Sequence, residues 1–222
     1  MANIAVVTQP DGQGSGLRSR KIARTRAALI DAAVELCLAR GYEKVTIEQI
    51  AAAVDIAPRT FSRYFVSKAA VFVAILDDLA DEVAAELRAV PDELGPMEAM
   101  RVALGAVLAR AHGTRSLPGT AERIVRTISV VTASDTLRQA AIDYRGPQVL
   151  EAMARRMNAG IDDRRLELAM TLISVTVVHA WTVLAASGVE LEPLVISAGI
   201  DEAFAELADF TADLFSTEPS SV

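Results

Sequence analysis

Between Gly41 and Lys68 the chain runs GYEKVTIEQIAAAVDIAPRTFSRYFVSK, and this stretch limits the possible folds more than any other. Thr46 with Gln49 three residues later makes a capping-box signature, and Ile47, Ile50, Ala51 and Val54 repeat behind it at helical spacing. Asp55–Ile56–Ala57 breaks that pattern, and Pro58 stands where a new helix would place its first residue. From Pro58 to about Phe65, Phe61, Tyr64 and Phe65 share one side, while Arg59, Ser62 and Arg63 share the opposite side. The spacing predicts two short helices at a tight turn. The rings bury one side of the second helix and its guanidinium groups face out. Such an element suits the major groove of DNA.

The charge distribution agrees with that reading. The net charge of -7 argues against nucleic acid as a partner, but it is unevenly spread. Residues 17–68 hold ten basic and five acidic side chains, so that segment is +5 and the remainder carries -12. A basic module on an acidic body is expected, with only the N-terminal part touching DNA.

The periodicity predicts an all-α chain. A first helix covers about residues 21–39, with Leu29, Ala32, Ala33, Leu36 and Cys37 on its apolar face, and Gly41 ends it. After the pair at Thr46 and Pro58, Ser67 caps a helix that runs to Pro91. Five further segments follow at about 96–112, 119–132, 134–158, 163–187 and 191–215, with Gly146–Pro147 kinking or splitting the third. No sustained two-residue alternation or hairpin signal is present, so no sheet is predicted. Residues 1–17 form a Gly-, Gln- and Ser-rich arm expected to be disordered, and 216–222 a frayed tail. Residues 18–82 are expected to form a helix-turn-helix domain, with its motif at about 45–65. Residues 83–215 are expected to form a C-terminal regulatory, ligand-binding and dimerisation domain.

The chemistry of the second short helix assigns roles. Arg59 and Arg63 carry guanidinium groups that can bind guanine O6 and N7 bidentately, and Ser62 and Pro58 allow close approach. Thr46, Thr60, Tyr64 and Lys68 suit phosphate contacts, Thr46 and Lys68 because they stand at helix N-termini. Tyr64 also fits core packing, with its ring inside and its hydroxyl out. Arg18, Arg20, Lys21, Arg24 and Arg26 either form a solvated arm and first turn or contact phosphates or the minor groove. Arg40 and Lys44 are expected to be solvated charges.

At these residues the sequence resembles the TetR family of transcriptional regulators. Gly41, Tyr42, Thr46, Ile47, Ile50, Ala51, Thr60, Phe61, Tyr64, Phe65 and Lys68 match the family pattern, across about residues 22–82. The resemblance implies an all-helical homodimer with three N-terminal helices for operator DNA and a C-terminal domain for an inducer. It also implies that the last two helices, about 163–187 and 191–215, form a four-helix dimer interface with their partner copies. Val45, Asp55, Ala57 and Ser62 depart from the pattern. Asp55 stands where the turn commonly has glycine, and Ala57 replaces the serine that would cap the reading helix. Weaker capping and an altered operator preference are expected, not loss of the fold.

The segment from Glu122 to Trp181 also resembles the C-terminal domain of mycofactocin-type regulators, a subgroup linked to acyl-CoA-like ligands. Arg123, Arg126, Leu137, Arg138 and the His179–Ala180–Trp181 run carry that resemblance. Four candidate ligand-binding residues follow, each with an ordinary alternative. Arg123 and Arg126 reach an anionic headgroup or form a solvated helix face. His179 contacts ligand or is a hydrogen-bonded core histidine. Trp181 walls a pocket or packs in the core.

Other classes lack their parts. Two histidines 67 positions apart and one cysteine give no zinc site, and neither a Gly-x-Ser-x-Gly elbow nor a phosphate loop is present. No cofactor or catalytic activity is expected. Cys37 excludes an intrachain disulfide and falls on an apolar helix face. The start, MANIAVVTQPDGQGSG, is not expected to be a signal peptide, and no apolar run is expected to span a membrane, so a cytoplasmic protein is expected. The sequence implies a repressor released from a near-palindromic operator by a small apolar effector. It leaves open an activator of the same fold, or a helical apolar-ligand-binding protein without DNA binding.

Overall fold

The computed structural model describes residues 13–113 and 120–215. It contains α1 (Gln13–Arg40), a 3₁₀ turn (Tyr42–Lys44), α2 (Ile47–Ala53), α3 (Pro58–Phe61) and α4 (Lys68–Ala89). These are followed by α5 (Pro96–His112), α6 (Thr120–Thr132), α7 (Asp135–Asp143), α8 (Pro147–Arg156), α9 (Arg164–Ser187) and α10 (Pro193–Phe215). No strand occurs among the described residues. The expected all-α architecture is the observed one.

Local chemistry sets the helix ends. The Thr46 hydroxyl accepts from the Gln49 N–H at 3.3 Å while Gln49 Oε1 accepts from the Thr46 N–H at 3.1 Å, so the capping box is complete. Ser67, Ser134 and Asp163 cap α4, α7 and α9 in the simpler one-sided way. Gly188 closes α9 at φ 73°, the left-handed conformation that costs glycine least. Gly146–Pro147 splits the predicted 134–158 segment into α7 and α8. The backbone at Gly146 lies so close to α4 that an added Cβ would sit 2.8 Å from the Ala80 Cβ.

Two expectations change at the N-terminal end. Residues 13–17, assigned to a disordered arm, belong to α1, which is longer than its apolar face because the amphipathic pattern starts only near Leu29. Residues 1–12 and the 216–222 tail lie outside the described residues. The helix expected to reach about Phe65 ends at Phe61. The chain continues in turns, with Arg63 N–H donating to Thr60 O at 3.2 Å and Phe65 N–H to Phe61 O at 3.0 Å.

One contiguous core runs the length of the molecule. Leu29, Ile50, Phe61 and Phe72 fill it at the N-terminal end, and Met153, Leu166 and Ile196 fill it at the other, all within 1% exposure. Helix α4 belongs to both ends. It packs against α1 and also against α5, α7 and α8. Burying side chains of this size contributes about 1.5–3 kcal/mol each, so the two ends do not separate cheaply. Arg156, whose side chain is 6% exposed, fastens the end of α4. Its guanidinium donates to the carbonyls of Val90 at 2.7 Å and of Pro91 and Leu94 at 2.9 Å.

Helix α9 has two apolar faces. Leu166, Ile173 and Val177 are buried, while Leu168, Leu172, Val175 and Val183 are 39–60% exposed on the other face. On α10, Phe210 is 62% exposed. Helix α9 is long and apolar enough by composition to cross a membrane, contrary to the expectation for every segment, but 44% of that span is buried inside the protein. A core helix that also carries an exposed apolar stripe accounts for it.

Candidate nucleic-acid interface

The turn between α2 and α3 fixes the exposed face. Asp55 adopts φ 55°, the left-handed conformation implied where the turn commonly has glycine, and Ile56 N–H returns to Ala51 O at 3.0 Å. Ala57 makes no side-chain cap, and Pro58 opens α3 instead. Phe61 is fully buried and Phe65 is 5% exposed, their rings 5.6 Å apart. Pro58, Arg59, Ser62 and Arg63 are exposed, and Thr60 and Tyr64 are half-buried. The guanidinium groups of Arg59 and Arg63 make no hydrogen bond or ion pair among the described residues. The rings-in, guanidinium-out posture is present, although the helix beneath it is shorter than expected.

Two of the phosphate candidates are more committed than sequence suggested. Thr46 is exposed, but its backbone N–H is taken by Gln49. The Glu48 carboxylate is held below its usual range by its own backbone N–H and by the Thr46 hydroxyl. An anion at this helix end therefore competes with the protein's own groups. Lys68 is turned inward. Its ammonium donates to Tyr42 O at 2.6 Å and Val45 O at 2.7 Å, and lies 3.9 Å from the centre of the Tyr42 ring. It braces the loop in front of α2, so the ammonium is engaged within the protein at the position expected to meet a phosphate.

Helix α1 supplies basic groups that sequence reading left undecided. Arg20, Lys21 and Arg24 are exposed and line a groove with Val54 and Ile56 at the α2–α3 turn. Arg26 behaves differently. It lies 5.7 Å over the Phe65 ring and 3.8 Å from Asp78, facing the core of the domain.

Of the four candidate ligand residues only Arg123 and Trp181 meet, at one small cavity, while Arg126 and His179 lie elsewhere. Arg126 pairs with Glu35 of α1 and with Glu122, and Arg123 lies 3.8 Å from Asp78. Arg126 ties α6 to α1, whereas Arg123 stays on an exposed helix face with only a long surface pair, the ordinary alternative given for it. His179 is exposed on the apolar stripe of α9, so it is neither a core histidine nor a pocket residue. Trp181 is buried and walls an apolar cavity of about 120 Å³ between α4, α5, α9 and the Tyr144–Gly146 loop. It also walls a smaller cavity of about 50 Å³ beside Arg123.

Sequence reading missed the rest of that cavity. Leu76, Leu79, Met100, Tyr144, Ile173 and Ser174 come from four separate elements, and no local pattern connects them. The Tyr144 hydroxyl donates to Asp77 Oδ1 at 2.5 Å. The acidic cluster at Asp77, Asp78, Asp81 and Glu82 is therefore partly engaged within the protein. A second link between the two ends was also invisible in sequence. Glu43, in the turn before α2, accepts from the Ser134 hydroxyl at 3.1 Å and the Thr136 hydroxyl at 3.2 Å.

Residues 29–75 match the family model for bacterial regulatory proteins of the tetR family. The chain is 45% identical over 105 residues to the HTH-type transcriptional regulator TcmR of Streptomyces glaucescens, covering 47% of this chain and 46% of that protein. It is 28% identical over 95 residues to the HTH-type transcriptional regulator RutR of Escherichia coli K12, covering 43% and 45%. The chain thus spans about half the length of the curated relatives it matches. Among solved structures, Thermus thermophilus FadR, a TetR-family repressor in complex with lauroyl-CoA, superposes with a TM-score of 0.51 at 18% identity. That alignment covers 89% of this chain and 98% of FadR, and it shows a shared fold.

Proposed function

We propose that the chain is a tetR-family, ligand-responsive, DNA-binding transcriptional repressor, a reading supported by the match of its N-terminal helices to that family model and to TcmR. One observation carries the reading. Arg59 and Arg63 stand exposed and unpaired on a short element whose other side is anchored by Phe61 and Phe65. An arginine pair fixed in this way can read guanine edges, while Thr60, Tyr64 and the basic groove of α1 contact the backbone. Ser62 and Pro58 allow close approach. Lys68 and Thr46 position the element.

The chain acts as a homodimer through α9 and α10. The exposed stripe of Leu168, Leu172, Val175 and Val183 with Phe210 supports this, because a surface of this kind is normally covered. Two copies would place their reading elements on half-sites about 34–36 Å apart, on a palindromic or near-palindromic operator. A small apolar effector releases the dimer. Two chemistries are open for it: an acyl-CoA-like compound, as the sequence resemblance suggests, or a compact molecule matched to the cavity at Trp181. The protein works in the cytoplasm, where its DNA is, and needs no cofactor.

Selection from a pool of randomised duplexes tests the proposal. The expected outcome is enrichment of an inverted repeat bound by a dimer. No enrichment at low salt, with the protein folded, would overturn it in favour of a ligand-binding protein without DNA binding. Run-off transcription from an enriched site separates repression from activation, and a rise in transcript on adding protein would reverse the sign assigned here.

A further inference from the structure

The cavity at Trp181 narrows the chemistry of the effector, and this inference rests on the effector-binding reading above. Its volume is about 120 Å³. An apolar cavity of about 150 Å³ in another protein stays dry and takes up benzene, so this one is of a size to hold a single ring. No ionised side chain lines it. Two of its polar groups are already engaged. The Tyr144 hydroxyl donates to Asp77, and Ser174 Oγ accepts from Arg145 Nη1 at 3.3 Å. The Arg145 guanidinium is itself directed at Ile142 O at 2.6 Å, Tyr144 O at 2.9 Å and Thr171 Oγ1 at 2.9 Å.

Trp181 is the exception. Its side chain is buried, and Nε1 is a buried donor without an acceptor among the described residues. An unpaired buried donor of this kind is destabilising. A ligand acceptor would relieve that cost. The charge of the ligand is constrained by the opposite wall. Asp77 accepts from the Tyr144 hydroxyl and Asp81 and Asp78 stand near it, so the charges behind that wall are negative. An anion entering the cavity would lose its hydration and find no cation to replace it.

We propose that the effector is an uncharged single-ring compound with one carbonyl-type acceptor, bound in this cavity with that acceptor on Trp181 Nε1. An acyl-CoA-like effector brings several negative charges, and no ionised side chain lines the cavity to meet them.

The test uses the full chain without DNA. The probes are acetophenone, its acceptor-free analogue ethylbenzene, benzoate and lauroyl-CoA. Binding is read by calorimetry and by the fluorescence of Trp181, the single tryptophan. Acetophenone is expected to bind about tenfold more tightly than ethylbenzene, the effect of roughly one hydrogen bond. Benzoate and lauroyl-CoA are expected not to bind where acetophenone saturates. In Trp181→Phe, followed by calorimetry, the preference for acetophenone should vanish. Equal affinities of acetophenone and ethylbenzene for the unaltered chain would overturn the proposal without recourse to any variant, and so would tighter binding of benzoate or lauroyl-CoA. Operator release is scored separately. Acetophenone binding without release would defeat the repressor reading and leave the ligand assignment standing.

Discussion

The two ends of the molecule use arginine in opposite ways. In the N-terminal head, Arg59 and Arg63 extend into solvent without a partner. In the body, Arg145 and Arg156 fold inward and spend their donors on backbone carbonyls. The residue type is the same, and the acceptors nearby decide the outcome. Helix α4 ends beside α8 with several carbonyls unpaired, and a guanidinium is the side chain that can satisfy a group of them at once. Around Arg59 and Arg63 the carbonyls of Ala57, Thr60 and Phe61 accept within the turn itself, and the two charges stay outside. Lys68 sits in the head by sequence and behaves like the body's arginines.

The largest effect should come from removing an inward arginine. Arg156→Met leaves the carbonyls of Val90, Pro91 and Leu94 without their donor in a part-buried place. A loss of about 3 kcal/mol in unfolding free energy is expected from urea denaturation. The neighbouring Arg155 is exposed, and Arg155→Met should stay within about 0.5 kcal/mol. Equal effects at the two positions would end the contrast between the two ends.

An outward arginine should show the reverse pattern. Arg63→Ala is expected to leave stability within about 0.5 kcal/mol of the original. It should flatten discrimination among operator variants by about 1–3 kcal/mol, measured by competition binding against a panel of single-base changes. An unchanged panel would remove Arg63 from base reading.

The contrast also marks what the sequence made legible. The head was readable because its determinants are local. A capping box, a turn residue at positive φ, a proline at the first helical position and rings at i and i+4 all lie within about twenty residues of one another. Helix boundaries in the body were readable for the same reason, since Gly and Pro punctuate them. The cavity was not. Its lining comes from α4, α5, α9 and the loop at Tyr144, and each lining residue looks like ordinary core in its own helix. Arg123 and Arg126 looked available because their partners, Asp78 and Glu35, lie far away in the chain. The same distance hid the two carbonyls that hold Lys68.

Lys68 is the position where the comparison is sharpest. A free ammonium on a phosphate would make Lys68→Met lower the salt slope of DNA binding by about one unit. An ammonium fixed on Tyr42 O and Val45 O gives a different signature. The slope should stay the same, and stability should fall by about 2 kcal/mol, as for the loss of a charge-assisted hydrogen bond. Salt titrations of operator binding together with denaturation curves check both halves. A shallower slope with unchanged stability would return Lys68 to the DNA backbone.

The smallest effect belongs to pH, and it touches both ends. Burial raises the Cys37 thiol from 9.0 to about 11, against a smaller opposing pull from Lys68. Burial also raises Tyr42 in the head and, together with Asp77, Tyr144 in the body. All three groups hold their protons in the folded chain at a pH where the unfolded chain releases them. Their contribution to stability is therefore complete below about pH 9 and declines as pH climbs through the folded-state values. The urea midpoint should stay level up to about pH 9 and then fall. In Cys37→Ala the onset should move to about pH 10, where the tyrosines of the unfolded chain begin to ionise. If that variant kept the original onset, Cys37 would not be the group that titrates first, and the thiol would have to be more accessible than its 4% exposure allows.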